Sequence, residues 1–126
     1  MTGAAADAND LEALLAAIDD DPDPLHLDMT PAVRALGELG GRAVPPLLEL
    51  LLSDSEETRL HAQRALELVV YRRHGFAPGQ GFPTAAEEQA AREQLVSAGY
   101  DHTGEPAARE AAVARLRASL EADAGA

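Results

Sequence analysis

Ala32-Val33-Arg34-Ala35-Leu36-Gly37-Glu38-Leu39-Gly40-Gly41-Arg42-Ala43-Val44-Pro45-Pro46-Leu47-Leu48-Glu49-Leu50-Leu51 is the stretch that decides the fold. Thr30-Pro31 opens it with a capping hydroxyl and a proline at the first helical position. Val33, Leu36 and Leu39, with Ala32 and Ala35, then recur at helical spacing, and Gly40-Gly41 closes the helix. A second helix is predicted from Ala43 to Leu52, with Pro45-Pro46 tolerated because they sit in its first turn. Thirty residues after Arg34-Ala35-Leu36 the chain gives Arg64-Ala65-Leu66. Self-similarity at such a period marks stacked helix pairs.

Working outward, Asn9 with Glu12 has capping-box spacing, and Leu11, Leu14, Leu15 and Ile18 make one apolar face. A helix is therefore predicted from about residue 9 to residue 20, behind a frayed tail at 1–8. Asp19 to Pro24 reads as a turn, because acids at a helix C-terminus oppose the macrodipole. Ser53 with Glu56 and Asp54 with Glu57 both match the capping box before a long helix from Glu56 to Arg73. Residues 75–83 hold Gly75, Pro78, Gly79, Gly81 and Pro83 and form an irregular loop. Thr84 opens a fifth helix that ends near Gly99, and a sixth runs from about Glu105 to Glu121 with Val113, Leu116 and Leu120 inward. No stretch alternates as a strand does. The expectation is one all-α domain over 1–126, ending in a terminal helical hairpin over 84–123.

Composition limits the chemistry. Of 126 residues, 46% are hydrophobic and only 3% aromatic, so Leu, Val and Ala must fill the core. Cysteine is absent, which removes disulfides, thiolate metal ligands and thiol nucleophiles. All 10 basic residues are arginine, so lysine Schiff bases and lysine-dependent phosphate loops are excluded as well. The net charge of −12 opposes nucleic-acid binding and favours a partner with a basic surface. No signal peptide or membrane-length apolar run is evident, and a cytoplasmic protein is the expectation.

Residues 32–73 resemble HEAT repeats of the short type found in bilin lyases. The resemblance rests on Arg34-Ala35-Leu36-Gly37-Glu38-Leu39-Gly40, on Ala43-Val44-Pro45-Pro46-Leu47-Leu48-Glu49-Leu50-Leu51, and on Asp54, Thr58-Arg59, Ala62 and Ala65-Leu66. It extends loosely back to residue 9. Thr58 stands where such repeats carry an aliphatic residue. The resemblance implies a short right-handed α-solenoid of three antiparallel helix pairs. It also makes Asp54 and Arg59 candidates for the ion pair, within or between repeats, that such repeats often show, and implies a binding surface rather than a chemistry.

No catalytic, cofactor or metal motif emerges. His26, His61, His74 and His102 include no His-x-x-x-His pair. Glu57 and His61, one helical turn apart, make half a metal site, and the four histidines read as scattered and solvent-facing. The Asp19-Asp20-Asp21-Pro22-Asp23 run lacks the glycine and glutamate of an EF-hand and reads as a solvated turn. Gly79-Gln80-Gly81 follows no strand and is a connector. Ser53, Ser55, Ser97 and Ser119 have no glycine elbow.

The arginines and the aromatic residues carry more. Arg34 and Arg64 hold equivalent repeat positions and should share one face, either binding an acidic ligand or pairing with the chain's own acids. Tyr71, Phe76, Phe82 and Tyr100 all fall within residues 71–100. Phe76 and Phe82 either plug the end of the array or wall a groove. The predicted activity is that of a non-catalytic scaffold or adaptor module. Its partner would meet the outward face of the second helices through Arg34, Leu60, Arg64, Leu68, Tyr71, Arg72, Phe76 and Phe82. Leu60 and Leu68 are expected to be exposed there. Self-association through the solenoid ends is a further expectation. The alternative, by analogy with bilin lyases, is small-molecule binding or lyase-like activity in a pocket beside the aromatic loop. A glycosylase-like role on DNA is disfavoured by charge, by the lack of Trp and by the shortness of the array.

Overall fold

A computed structural model describes the backbone of residues 3–125 and the side chains of residues 10–122. Among the described residues the regular structure is helical throughout: α1 (Gly3–Ala16), α2 (Pro31–Leu39), α3 (Val44–Leu50), α4 (Glu56–Arg73), α5 (Ala85–Ala98) and α6 (Pro106–Gly125). A short 3₁₀ turn over Gly40–Ala43 joins α2 to α3. Isolated bridges, Asp23 to His26 and Ala77 to Gly81, tighten the two longer loops.

Helix ends follow the local chemistry. Thr30 caps α2 by accepting from Val33 N–H at 3.1 Å, and its own hydroxyl donates to the Ile18 carbonyl at 2.9 Å. One buried side chain thus starts α2 and ties it to the end of α1. Thr84 caps α5 through Glu87 N–H. For α4 the cap is Ser55, which accepts from Thr58 N–H. The cap thus falls within the Ser53-Asp54-Ser55 turn read from the sequence, though not at Ser53 or Asp54, the two with capping-box spacing. Helix α1 begins ahead of the Asn9 start read from the capping box and ends at Ala16, four residues short of Asp20.

Helix α4 is the hub, touching α2, α3 and α5, and its contact with α2 is the most extensive in the molecule. Val33 and Leu36 of α2 and Ala62, Ala65, Leu66 and Val69 of α4 are buried in one cluster with Leu47 and Leu48 of α3. Gly37 explains how closely α2 and α4 approach. A Cβ there would stand 2.7 Å from Leu68 Cβ, inside any real contact distance. Leu68 is therefore a packing residue as well as a surface one.

The same cluster continues into Ala91, Ala98, Val113, Leu116 and Leu120 of α5 and α6. Polar anchors join those helices to the rest. Tyr100 donates its hydroxyl to Leu51 O at 2.6 Å, and Arg73 donates to Leu120 O at 3.2 Å. Arg59, mostly buried, donates to Ser53 O and His102 O. The Asp54–Arg59 ion pair implied by the family resemblance is thus replaced by two backbone contacts. Arg59 is drawn inward to a carbonyl of the turn before α4 and one of the turn between α5 and α6.

Candidate functional site

The loop over 75–83 positions the first candidate site. Gly75 lies at φ +89°, and a side chain there would meet Pro83 Cγ at 2.8 Å, so glycine is required for the chain to leave α4 and fold back. Phe76 and Phe82 then close on Tyr71 of α4. Ring centroids stand 6.0 Å apart for Tyr71–Phe76, 5.4 Å for Tyr71–Phe82 and 5.3 Å for Phe76–Phe82. These are the tilted and edge-on contacts that aromatic quadrupoles favour. Burial pushes the Tyr71 phenol up from its ordinary range. Tyr100 stands apart from this triad, with its hydroxyl on Leu51 O.

Phe76 also walls a surface cavity of about 360 Å³, lined by Met29, Arg34, Glu38, Leu68, Arg72, Phe76, Pro78 and Gly79. The loop's aromatic anchor is thus at the same time a groove wall. The floor is apolar and the rim is charged with both signs. Arg72 faces Glu38 at 3.6 Å and Arg34 faces Asp23 at 3.8 Å, both separations too long for a tight hydrogen bond. Arg34 and Glu38 remain 61% and 65% exposed.

Four of the eight residues expected at a partner site, Arg34, Leu68, Arg72 and Phe76, therefore meet in one groove. Tyr71 and Phe82 support it from behind through Phe76. Arg64 does not line it. Its guanidinium is committed to Asp28 at 2.5 Å and to Glu67 at 3.0 Å. Arg34 and Arg64, expected from the sequence to hold equivalent positions, have different surroundings. Leu60 lines a different cavity, and both Leu60 and Leu68 are half-buried instead of exposed.

The second candidate site lies where the acidic loop after α1 crosses α4. His61 is 1% exposed, against the expectation of a solvent-facing ring. Its Nδ1 lies 2.6 Å from Asp19 Oδ1 and its Nε2 lies 3.0 Å from Leu27 O. Thr58 donates its hydroxyl to Asp19 Oδ2 at 2.6 Å. The Asp19–Asp23 turn is accordingly stitched to α4 and α2, not freely solvated. Asp23 accepts from Leu25 N–H at 2.9 Å, a bond that holds its carboxyl below the usual range. Glu57, one turn before His61, brings a carboxylate oxygen to the pair, and donor atoms of Asp19, Glu57 and His61 all lie within 4.8 Å of one another. A cavity of about 420 Å³ opens beside them, lined by Pro22, Leu27, Glu56, Glu57, Leu60, His61 and His102.

The sequence revealed half of this cluster, Glu57 and His61 at helical spacing. Asp19 was invisible because it lies 42 residues from His61. The other histidines differ. His26 is exposed beside Asp23, His74 sits between Glu87 and Gln94, and His102 donates from Nδ1 to Gln63 Oε1.

No helix among the described residues is long and apolar enough to cross a membrane. Comparison with protein-family models, with curated proteins and with solved structures finds no match to the chain.

Proposed function

We propose that the chain is a non-catalytic protein-interaction module of HEAT-like architecture, a short right-handed solenoid in which α1–α2, α3–α4 and α5–α6 are the stacked antiparallel pairs. The extensive α2–α4 contact is what neighbouring second helices of such an array make. We place the protein in the cytoplasm on the same reading. The observation that carries the function is the groove between α2, α4 and the 75–83 loop. Its apolar floor of Met29, Leu68, Phe76 and Pro78 is rimmed by loosely paired Arg34, Glu38 and Arg72. A partner supplies one bulky apolar side chain to the floor and exchanges partners with the rim charges. The net charge of −12 steers partners that carry the anchor on a basic segment.

A displayed library of random peptides tests this. Enriched peptides should carry a large apolar residue flanked by Lys or Arg, and their binding should weaken as salt rises. Glu38→Arg, which alters an exposed rim residue without touching the core, should weaken them on the order of tenfold, about 1.4 kcal/mol. Failure to enrich any sequence family, or binding indifferent to Glu38→Arg and Phe76→Asp, overturns the assignment. Concentration-dependent dimerisation that Glu38→Arg leaves untouched would instead point to self-association through the ends of the array.

A further inference from the structure

We infer that Asp19, Glu57 and His61 form a binding site for a single divalent transition-metal ion, with zinc the best-matched probe, independently of the groove described above. The two ring nitrogens of His61 face different partners. Leu27 O can only accept a hydrogen bond, so the nitrogen facing it, Nε2 at 3.0 Å, carries the proton. In a neutral ring that leaves Nδ1 as a lone pair, and it points at a carboxylate oxygen only 2.6 Å away. Two electron-pair donors at that distance require an electrophile between them, either a second proton or a metal ion.

Three features favour the metal. The third donor, Glu57, stands on the same face of α4 as His61, in place to add its charge. The supports outside the donor set are those that metal sites use. The distal imidazole nitrogen is fixed by a backbone carbonyl, and the ligand carboxylate is held by the Thr58 hydroxyl on its other oxygen. The cavity of about 420 Å³ beside the cluster leaves a face open for water or an exogenous ligand. One imidazole and two carboxylates suit zinc and its first-row neighbours better than calcium or magnesium, which select all-oxygen sets.

The geometry needs a small adjustment. Donors on a tetrahedral zinc stand about 3.4 Å apart, given metal–ligand distances near 2.1 Å. Asp19 must therefore retreat from His61 by somewhat under about 1 Å. It is 34% exposed and sits on the turn after α1, whereas His61 is locked in the core. Hydrated zinc enters by exchanging bound waters for His61 Nδ1, Asp19 Oδ1 and a Glu57 carboxylate oxygen, and the proton held between Nδ1 and Oδ1 passes to bulk water.

Titration of the full chain with zinc chloride, followed by calorimetry and by nitrogen NMR of the histidine rings, tests the site. The expected result is saturation at one equivalent. His61 Nδ1 should move to a metal-bound shift while its Nε2 stays protonated. Asp19→Asn and Glu57→Gln should each weaken binding tenfold or more, and His26→Ala, which removes the exposed histidine near Asp23, should leave it unchanged. Because the NMR signature is read on the unmodified chain, it stands even if a variant folds poorly. Absence of saturable binding, or zinc that shifts His26 and leaves the His61 nitrogens in place, overturns the assignment. Either result would make the cluster a proton-bridged ion pair.

Discussion

The α2–α4 contact and the α5–α6 pair are both helix-on-helix packings, yet different forces hold them. Between α2 and α4 the helices meet through Val33, Leu36, Gly37, Ala62, Ala65 and Leu66, all buried, with the glycine letting the backbones close in. The α5–α6 pair presents a smaller inner face, rich in alanine: Ala91, Ala98 and Ala112 beside Val113, Leu116 and Leu120. It compensates with directional bonds, from Arg115 to Ala98 O and Gln94 to Ser119 within the pair, and from Tyr100 to Leu51 O and Arg73 to Leu120 O between the pair and the rest. Apolar interdigitation is lost only when the helices separate, whereas single hydrogen bonds in partly exposed positions are each worth about 1 kcal/mol net. The α5–α6 pair should accordingly be the region of lower local stability.

The largest expected effect lies in the tighter contact. Gly37→Val places a branched side chain where even a Cβ stands 2.7 Å from Leu68 Cβ, an atom fixed to the α4 backbone. Neither helix can yield without disturbing the rest of the cluster, so the cost is about 2–3 kcal/mol. Chemical denaturation should show a lower midpoint for the whole transition. An unchanged midpoint would mean that α2 and α4 are not closely packed.

A smaller and more local effect belongs to the second region. Tyr100→Phe removes one hydroxyl from Leu51 O and should cost about 1 kcal/mol. Amide exchange should speed up in α5 and α6 while α2 and the centre of α4 keep their protection. Equal acceleration everywhere would show that the two regions unfold as one unit and that the distinction between them is false.

Much of the helical layout was legible in the sequence because its signals are local. Thr30-Pro31, Gly40-Gly41 and Thr84 mark ends where the structure has them, since a capping hydroxyl or a proline at the first turn acts within a few residues. Ser53, Asp54 and Ser55 together read as a turn and a cap, and spacing alone could not single out Ser55 because several acids and hydroxyls crowd residues 53–57. The sites were less legible for a related reason. Arg34 and Arg64 read as equivalent in the sequence, but Asp28 and Glu67 capture only Arg64, and that depends on where the acidic loop lands. The same loop brings Asp19 to His61. Leu68 read as an exposed apolar residue because nothing in α4 itself shows that Gly37 comes up against it.

The smallest expected effect separates the two regions electrostatically. Asp28 accepts from Arg64 Nε, and that hydrogen bond, with the guanidinium's charge, holds its carboxyl below the usual carboxylate range. Asp101 is also held low, by the hydroxyl and N–H of Thr103 within its own turn. For a carboxylate whose folded value is depressed, the stabilisation is fully present above the unfolded value, about 3.9. It is lost as pH falls through the lower, folded value. The two groups differ in what their loss releases. The Asp28 bond spans 36 residues and ties the acidic loop to α4, whereas the Asp101 bonds reach only 2 residues along the chain. Because Asp28 is partly exposed, screening limits its share to roughly 0.5–1 kcal/mol. Asp28→Asn should therefore lower the melting temperature at neutral pH and make its decline between about pH 4 and pH 2 shallower than in the unmodified chain. Asp101→Asn, still able to accept from Thr103, should leave the curve close to the original. If the two variants trace the same curve, the loop's attachment to α4 contributes no more to acid stability than a local turn does.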